Sequence, residues 1–490
     1  MTIKKCAVIG SGIGGLAVAI RLANKGYRVT VFESNAQAGG KMSELHANGY
    51  RFDKGPSVLT KPEYLDDLFV LSGKNPRDYL QFEKVDPVFK YFFKDGTVIN
   101  STSDRKRFAE EIASKTEATE DSVIDFLEKA EIKHSLTDEV FLQRSLHKPF
   151  NYFNRSTVRG IFNFGKIEAF TTMNRVNQKQ FNDAKVVDIF NRYASYNGSD
   201  PYQAPATLNV ISHYEITLGT YYPTGGIYSI INALVELAEE VGVKFRFNTK
   251  VSGIAVNGNK ATGIETDAGS KQFDLVVSNS DIYNTCHKLL PNSRKPNRSL
   301  NQPKSSSVIV FYWGMKRQFP KLGLHNMFLS DDSETEYKHI FQQGSLSDDP
   351  TVHLTISSKR KASDAPEGRE NWAALISTPH DTGQDWDTLI DQSRERVIKK
   401  ISSILGEDIA LFIEFESVLD PRMVQTETSS AFGAVFGNSS NSKFSAFLRH
   451  PNFSSRIDNL FFCGGSVHPG AGVPLCLLSA KIVSDLISKP

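Results

Sequence analysis

Residues 7–33 read AVIGSGIGGLAVAIRLANKGYRVTVFE, and this stretch decides the fold of the first part of the chain. The apolar run before Gly10 predicts a short buried strand, the glycine-rich stretch predicts a tight turn that opens a helix, and YRVTVFE predicts a second strand. Together they form a βαβ unit. Gly10, Gly12 and Gly15 occupy the GxGxxG positions of that unit, so the sequence predicts a dinucleotide-binding α/β domain.

Each residue of this pattern has a separate physical reason. Gly10 permits the sharp turn, Gly12 lets the backbone approach a pyrophosphate, and Gly15 lets the helix pack close to the strand. The N-terminus of the helix supplies N–H groups and the positive end of a dipole for the phosphates. Glu33 ends the second strand, where a carboxylate accepts hydrogen bonds from a ribose diol and repels a 2′-phosphate. The pattern therefore argues against NADP.

Two further glycine turns favour FAD over NAD. The segment SNAQAGGKM follows Glu33 and contains Gly39, Gly40 and Lys41, and the segment GYRFDKGPSVLT contains a third turn at residues 55–57. NAD enzymes usually need no such turns at these places. A larger cofactor, extended across the sheet into a neighbouring domain, would use them.

The composition is that of a globular protein. The 490 residues are 40% apolar and 23% charged, which allows a large core and favours two intertwined domains. The net charge of +2 gives no reason to expect a nucleic-acid partner. No apolar tract is long enough to predict a spanning helix. The N-terminal glycines interrupt a run that otherwise resembles a signal peptide, so we expect no secretory signal.

The cysteines indicate a reducing compartment. They include no CxxC pair, and we expect all of them to be reduced and buried. These cysteines are Cys6, Cys286, Cys463 and Cys476. No internal repeat or metal-ligand cluster is apparent, and SDDSETE (330–336) is predicted to be a solvated loop between strands.

The middle of the chain predicts a helix followed by strands. The helix is marked by apolar residues at three- and four-residue spacing, namely Ile227, Ile230, Ile231, Leu234, Leu237 and Val241. VKFRFN and VSGIAV follow as strands, and Asn257-Gly258 predicts a hairpin turn. FDLVVSNSD then predicts a buried strand that returns to the sheet.

Three segments carry a resemblance to a known family. The stretch 7–42, with GYRFDKGPSVLT, resembles the FAD-binding start of the bacterial carotenoid (phytoene) desaturases. The middle segment YYPTGGIYSIINALVELAEEVGVKFRFNTKVSGI and the closing SVHPGAGVP are also similar to that family. The resemblance is weakest at about 95–185 and 315–425. It implies FAD as cofactor and a carotenoid as substrate.

The resemblance also gives the last segment a role. NLFFCGG predicts a strand whose end places residues 465 and 466 against the ribityl–pyrophosphate part of a flavin. HPGAGVP is a turn of low bulk that lies against the isoalloxazine, and Pro474 suits the first turn of the closing helix. The N-terminus of that helix would stabilise the reduced flavin by roughly 0.3–2 kcal/mol. In the family, the strand of Val251 holds the adenine end.

The predicted FAD-binding residues are Gly10, Gly12, Ile13, Gly14, Gly15, Glu33, Gly39, Gly40, Lys41, Gly55, Pro56, Ser57, Val251, Gly465, Ser466, Gly472, Val473 and Pro474. The fold class is α/β: a Rossmann-like FAD-binding domain and a second α+β substrate domain, mostly antiparallel sheet plus helices, as in flavin amine oxidases. The predicted FAD domain comprises 1–95, 222–290 and 440–490. The predicted substrate domain comprises 96–221 and 291–439.

Residues 141–180 are predicted to face a membrane. The segment has one acid, Glu168, against the basic residues Arg144, Lys148, Arg155, Arg159, Lys166, Arg175 and Lys179. The aromatic residues among them are Phe141, Phe150, Tyr152, Phe153, Phe162, Phe164 and Phe170. This mixture suits the surface of an anionic bilayer. A solvated helix face over an aromatic core, or a single-stranded nucleic acid, would give the same pattern.

His213 and Glu215 are the candidate catalytic residues. An alternating, strand-like placement puts both on one face. His213 is a candidate base for the proton lost while a hydride leaves to flavin N5, and a structural histidine is an equal alternative. No nucleophile–base–acid set is apparent, so we expect the flavin itself to carry the chemistry, with the protein supplying orientation.

The closing motif favours one branch of the family. Phytoene desaturases usually have THPGAGIPG, whereas this chain has SVHPGAGVPLCLLSAK, which is more similar to enzymes that desaturate 1-hydroxycarotenoids at C3–C4. Phytoene-type desaturation, a carotenoid isomerase that uses FAD without net redox, and an amine-oxidase-type enzyme for a small soluble substrate are the alternatives. The expected location is cytoplasmic and peripheral to the membrane, with oxygen or a quinone as electron acceptor.

Overall fold

The computed structural model describes residues 3–148, 163–442, 445 and 448–490. The first ten strands are β1 Lys5–Ile9, β2 Arg28–Phe32, β3 Ser43–Ala47, β4 Tyr50–Lys54, β5 Phe82–Lys84, β6 Phe89–Phe92, β7 Val98–Ser101, β8 Tyr221–Pro223, β9 Lys244–Arg246 and β10 Val251–Asn257. The others are β11 Lys260–Thr266, β12 Gly269–Gln272, β13 Leu275–Ser278, β14 Ser307–Met315, β15 His325–Phe328, β16 Val352–Thr355, β17 Glu370–Thr378, β18 Ile413–Leu419 and β19 Leu460–Phe462.

Eleven α-helices of six or more residues lie in the described part of the chain. They are α1 Ile13–Asn24, α2 Glu63–Leu71, α3 Arg105–Ala113, α4 Glu120–Thr137, α5 Met173–Gln180, α6 Ala184–Asn191, α7 Ser229–Glu240, α8 Ser333–Lys338, α9 Trp386–Leu405, α10 Pro421–Thr428 and α11 Val473–Leu486. Within the described ranges, no helix is both long enough and apolar enough to cross a membrane.

A parallel sheet forms the nucleotide-binding part. Its strand order is β19-β13-β1-β2-β9, and all its pairs are parallel. The strands come from three distant parts of the chain, and their parallel pairing brings these parts together in one sheet. Val8, Val31 and Val277 are fully buried in it, and Leu16 of α1 and Leu477 of α11 pack against the same core. The predicted Rossmann-like domain is confirmed.

A seven-stranded sheet forms the second part. Its order is β18-β14-β17-β16-β15-β6-β7, and every pair is antiparallel except β15 with β6. Trp313, Trp372 and Trp386 are buried on one face, where α9 covers the sheet. The predicted α+β domain is therefore confirmed. Strand β6 at 89–92, which the predicted bounds place in the FAD domain, pairs in this sheet, and the domain bounds stay a prediction.

Two predictions for single segments are wrong. His213–Thr217 is a π-helical turn, not a strand, so residues 213 and 215 point to different sides instead of sharing a face. Residues 333–338 form α8, whereas 330–336 was predicted to be a solvated loop, and Glu336 is 4% exposed. In both segments the local sequence allows either structure, and packing against distant residues decides between them.

Other local predictions hold. Asn257 pairs with Lys260 across a tight turn in which Gly258 has φ 61°, as the hairpin signal predicts. The predicted helix at 227–241 is α7. All four cysteines are free thiols and three of them are buried, but Cys476 is partly exposed, so the prediction of burial is wrong at that residue. In the predicted membrane-facing segment, residues 149–162 lie outside the described residues.

Candidate active site

A cavity of about 1000 Å³ lies between the two main sheets. One side is formed by the turns that follow the parallel strands, with Gly10, Glu33 and Asn279 at the carboxyl ends of β1, β2 and β13. The other side is formed by one face of the seven-stranded sheet. Ligands of open α/β sheets bind at the carboxyl ends of the strands, so the cavity lies where a dinucleotide is expected.

The predicted FAD-binding residues converge on this cavity from five separate segments. All of them line it except Gly15. Gly15 has a packing role, because a Cβ atom there would lie 2.0 Å from the carbonyl oxygen of Gly10. Helix α1 can approach the turn after β1 only if this position has no side chain. The segments come together in the cavity, and their contacts with FAD stay a prediction.

Glu33 is held at the end of β2 by four hydrogen bonds. The backbone N–H and the hydroxyl of Ser11 donate to Oε2 at 2.8 and 2.7 Å. The backbone N–H of Asn35 and the hydroxyl of Ser34 donate to Oε1 at 3.0 and 3.2 Å. The side chain is 6% exposed and lines the cavity. Its carboxylate therefore has a fixed orientation, and a ribose diol would share oxygens that already accept hydrogen bonds.

Replacement of Glu33 by Arg should release FAD. The substitution removes the acceptor of the Ser11 hydrogen bonds and places a cation where the carboxylate stood, so we expect flavin occupancy of the purified protein to fall at least about tenfold. The ratio of flavin absorbance to protein absorbance measures this. Glu33→Gln keeps one acceptor oxygen and should retain more flavin than Glu33→Arg. Full occupancy in Glu33→Arg would rule out the ribose assignment.

Asn279 was missed by the sequence analysis. It follows β13, and its side chain lies among glycines of two segments: a Cβ atom on Gly14 or Gly464 would be 2.7 Å from Asn279 Oδ1. Its backbone N–H donates to the carbonyl of Ile9 at 2.8 Å. Asn279 thus fixes the glycine turn of β1 against the end of β19. The parallel pairing of β13 with β1 places Asn279 there, and no local sequence pattern indicates it.

Lys41 is a partly buried basic residue beside the cavity. Its Nζ donates to the carbonyl of Val435 at 2.6 Å and joins the second glycine turn to the segment that precedes β19. Burial lowers the pKa of the Lys41 ammonium, and the nearby Asp281 opposes that shift. Both Lys41 and Asp281 line the cavity.

The start of α11 leaves room for a flat ring. Gly472 has φ 112° and caps the helix, and a Cβ atom built on it meets no protein atom within 4 Å, although the residue lines the cavity. Such a Cβ would project into the cavity itself. The glycines at 12 and 40 approach each other closely at the opposite side, where a Cβ on Gly40 would lie 3.3 Å from the Cα of Gly12. The residues present therefore fit FAD, and the placement of its pyrophosphate near α1 and its isoalloxazine near α11 stays a prediction.

The sheet side of the cavity is largely apolar. Alternate residues of adjacent strands face it, as the period of a β-strand requires. The apolar members of this face are Phe89, Val308, Val310, Met327, Ala373, Leu375 and Leu419. Such a surface suits a long hydrocarbon chain.

His213 and Glu215 do not line this cavity. The ring of His213 packs against His134 of α4, with 4.8 Å between the ring centroids, and burial lowers its pKa to about 4. Glu215 is fully buried and accepts hydrogen bonds from Arg192 at 2.6 Å and from Tyr193 at 2.8 Å. The two side chains are not brought together.

Glu215 instead supports a wall of the cavity. Its second oxygen accepts from Tyr196, and Tyr196 and Arg192 both line the cavity. The guanidinium of Arg192 lies 4.3 Å from the ring centroid of Phe89. Burial acts to lower the pKa of Arg192, but Glu215 raises it well above the ordinary value. The cation is therefore permanent, and its counter-charge is Glu215.

The histidine that does line the cavity is His353 of β16. Burial, with a further contribution from Arg192, lowers its pKa to about 3. The ring is therefore neutral at physiological pH. Its position was not predicted, because a lone histidine in a strand carries no local signal.

Comparison with known proteins agrees with this geometry. The profile of a family described as flavin containing amine oxidoreductase matches residues 13–488. The chain belongs to this family. FAD, predicted from the glycine turns, is thereby confirmed as the cofactor class, and the chain is a flavin-dependent oxidoreductase.

Members of the family with similar sequences match nearly the whole chain. A 1-hydroxycarotenoid 3,4-desaturase of Flavobacterium sp. (strain P99-3) is 43% identical over 99% of both chains. A 4,4'-diaponeurosporene oxygenase of Staphylococcus haemolyticus is 32% identical over 100% of this chain and 98% of that one. A phytoene desaturase of Fusarium fujikuroi is 29% identical over 99% and 89%. The predicted resemblance to carotenoid desaturases is confirmed.

Several solved structures share the fold. An oxidoreductase from Methanosarcina mazei has a TM-score of 0.63 with 16% identity and covers 98% of this chain and 100% of its own. Cyclohexylamine oxidase from Brevibacterium oxydans has a TM-score of 0.60 with 14% identity and covers 99% and 98%. The two-domain architecture predicted from the sequence is that of these flavoenzymes.

Proposed function

We propose that the chain is an FAD-dependent carotenoid desaturase that forms the C3–C4 double bond of a 1-hydroxycarotenoid. The observation that carries the proposal is a continuous cavity that joins the FAD-binding turns to an apolar sheet face. The 43% identity with a 1-hydroxycarotenoid 3,4-desaturase over 99% of both chains supports the choice of bond. A small soluble amine would not need so long an apolar wall.

The reaction removes two hydrogens from adjacent carbons, one as a hydride and one as a proton. When bound, FAD supplies the hydride acceptor at N5, and the two electrons then pass to oxygen or a quinone. The protein binds and orients both partners. Gly12, Gly40 and the N-terminus of α1 would receive the pyrophosphate, and Gly472 would let the ring approach α11. The apolar face of β14 and β17 would hold the polyene and exclude water.

His213 and Glu215 enter this proposal only indirectly. Glu215 neutralises Arg192 in the cavity wall, and His213 packs behind the wall against α4. A direct proton transfer from substrate to His213 would require the ring to reach the cavity. We therefore assign Glu215 a positioning role and keep no catalytic role for His213.

Mass analysis of products tests the proposal. FAD-loaded protein in liposomes is incubated with phytoene, lycopene and their 1-hydroxylated relatives, with oxygen or a quinone supplied. We expect a product two hydrogens lighter from the 1-hydroxylated substrates. Conversion of phytoene alone would keep the family and overturn the choice of bond. An unchanged mass with an altered retention time would indicate an isomerase.

We further propose that the protein works at the surface of a membrane. Its described part supports this with Phe170, which is 68% exposed, and with the exposed cations Lys166, Arg175 and Lys179 nearby in the chain. Exposed aromatic and basic side chains together favour anionic lipid.

Flotation with liposomes tests the membrane proposal. The protein should float with vesicles that contain anionic lipid and should float less at high salt, because screening weakens attraction between surface charges. Phe170→Ser should reduce the floating fraction by about half or more. Leu411→Ser is a matched control, since Leu411 is 67% exposed and lies just before β18, at the edge of the seven-stranded sheet opposite to β7. Failure of the wild-type protein to float would contradict the proposal.

A further inference from the structure

One part of the cavity is polar although its sheet face is apolar. The segment after β15 and helix α6 meet there with β16. The polar residues that line this part are Asp188, Ser330, Ser333, Glu336 and Thr351. A hydrocarbon gains nothing from such a surface, so this part of the cavity fits a ligand that carries a polar group.

Only one carboxylate oxygen of Asp188 accepts a hydrogen bond from the described residues. It lies on α6 between buried apolar neighbours, and its Oδ1 accepts a hydrogen bond from the Ser333 hydroxyl at 2.6 Å. Ser333 is in turn 3.1 Å from the Tyr202 hydroxyl, which fixes the direction of the serine. Among the described residues, none donates to Oδ2 of Asp188 and no cation forms an ion pair with the carboxylate. Burial raises the pKa of Asp188 to about 6.

Glu336, the other acid in this part of the cavity, has no carboxylate oxygen without a partner. Glu336 accepts from the backbone N–H of Thr351 at one oxygen and from the Thr351 hydroxyl at the other, both at 2.7 Å. Its two oxygens therefore have partners within the protein. Asp188 is partly buried and lines the cavity, so its Oδ2, which has no donor among the described residues, can accept a hydrogen bond from a ligand there. The missing partner is a donor, such as an alcohol O–H.

A hydrophobic cluster connects the neighbourhood of Asp188 with the flavin side of the cavity. Val58 directly follows the turn at 55–57, and it packs against the hydrophobic cluster that contains Val187, Met327 and Leu329. Val187 is the chain neighbour of Asp188. The FAD-facing turn and the polar part of the cavity thus adjoin one hydrophobic cluster.

We propose that Asp188, oriented by Ser333, accepts a hydrogen bond from the hydroxyl group of a hydroxylated polyene and so selects that substrate. The inference rests on the proposed function. In a 1-hydroxycarotenoid the hydroxylated carbon is two bonds from C3. A hydrogen bond at the hydroxyl therefore sets how far the chain enters the cavity and which carbon–carbon bond faces the flavin. A polyene without the hydroxyl lacks this anchor and leaves Asp188 without its donor.

The test compares two substrates that differ only in the hydroxyl. FAD-loaded wild type, Asp188→Leu and Asp188→Asn are assayed with a 1-hydroxylated polyene and its non-hydroxylated parent, and the ratio of the two kcat/KM values is measured. Asp188→Leu should lower this ratio about 10- to 100-fold, because a site built to bond a hydroxyl discriminates strongly against its absence. Asp188→Asn keeps a carbonyl acceptor and should keep most of the ratio. An unchanged ratio in Asp188→Leu would overturn the proposal.

Folding is controlled in the same preparations by flavin content and thermal melting. If Asp188→Leu does not fold, Asp188→Ala takes its place, with the same expected fall in the ratio. Ser333→Ala removes the orienting hydroxyl and should lower the ratio about threefold, since a neutral hydrogen bond contributes roughly 0.5–1.5 kcal/mol.

A binding measurement separates this inference from the proposed function. An alkyl chain that ends in a tertiary alcohol and the matching hydrocarbon are titrated into FAD-loaded protein, and the change in flavin absorbance is followed. Preference of the wild type for the alcohol, lost in Asp188→Leu, would support the site even if no polyene is desaturated. Equal binding of alcohol and hydrocarbon by the wild type would overturn it even if desaturation occurs.

Discussion

Gly15→Ala should leave the protein nearly free of FAD. The added methyl group would lie 2.0 Å from the carbonyl oxygen of Gly10, which is too short for any contact, and a tight 3.0 Å from Nδ2 of Asn279. Helix α1 must therefore move away from the turn after β1. The move displaces the helix N-terminus that would receive the pyrophosphate. We expect flavin occupancy to fall below about one tenth and the free energy of unfolding to fall by about 1–3 kcal/mol.

The measurement is the ratio of flavin to protein absorbance after purification, together with a urea unfolding curve. Gly165→Ala is the matched control, because a Cβ atom there meets no atom within 4 Å and the residue does not have a positive φ. It should keep wild-type flavin content. Equal flavin content in Gly15→Ala would mean that α1 does not have to stay close to the turn, and the packing role assigned to Gly15 would be wrong.

The parts of the site that could be predicted from the sequence are those that a short stretch of consecutive residues determines by itself. The βαβ unit around Gly10 has an apolar run, a glycine turn and a second apolar run in immediate succession. Residues 55–57 and 472–474 combine glycine or proline with an adjacent apolar segment in the same way. Each of these turns lines the cavity.

The parts that could not be predicted depend on the pairing of strands that are far apart in the sequence. Asn279 meets Gly14 and Gly464 only because β13 lies between β1 and β19 in the sheet. His353 faces the cavity because of its register in β16, which is set by β15 and β17. These strand registers cannot be inferred from a single sequence.

The prediction of a strand at 213–215 failed for a related reason. The segment alternates polar and apolar residues, which favours a strand locally. Glu215 instead finds a buried counter-charge in Arg192, twenty-three residues earlier, and the helical turn is what directs it there. A buried carboxylate without a cation would be far more costly than the local preference for a strand.

Breaking the ion pair between Arg192 and Glu215 should have the second large effect, a loss of stability. Glu215→Leu should lower the free energy of unfolding by about 3–5 kcal/mol, because it leaves the guanidinium of Arg192 buried without a counter-charge. The side chains of Arg192 and Glu215 are 4% and 0% exposed, so water cannot take the place of the carboxylate. The hydroxyls of Tyr193 and Tyr196 lose their acceptor as well. The fall in the urea midpoint measures the loss.

A second substitution distinguishes an unpaired charge from a general packing defect. Arg192→Met placed in the Glu215→Leu background removes the buried charge while keeping an apolar side chain of similar length. It should recover at least about 2 kcal/mol, because replacing both members of a buried pair is far less damaging than replacing one. Full recovery is not expected, since the two tyrosine hydroxyls stay without their acceptor. A double variant as unstable as Glu215→Leu alone would show that the cavity wall depends on the tyrosine hydrogen bonds and not on the pairing of Arg192 with Glu215.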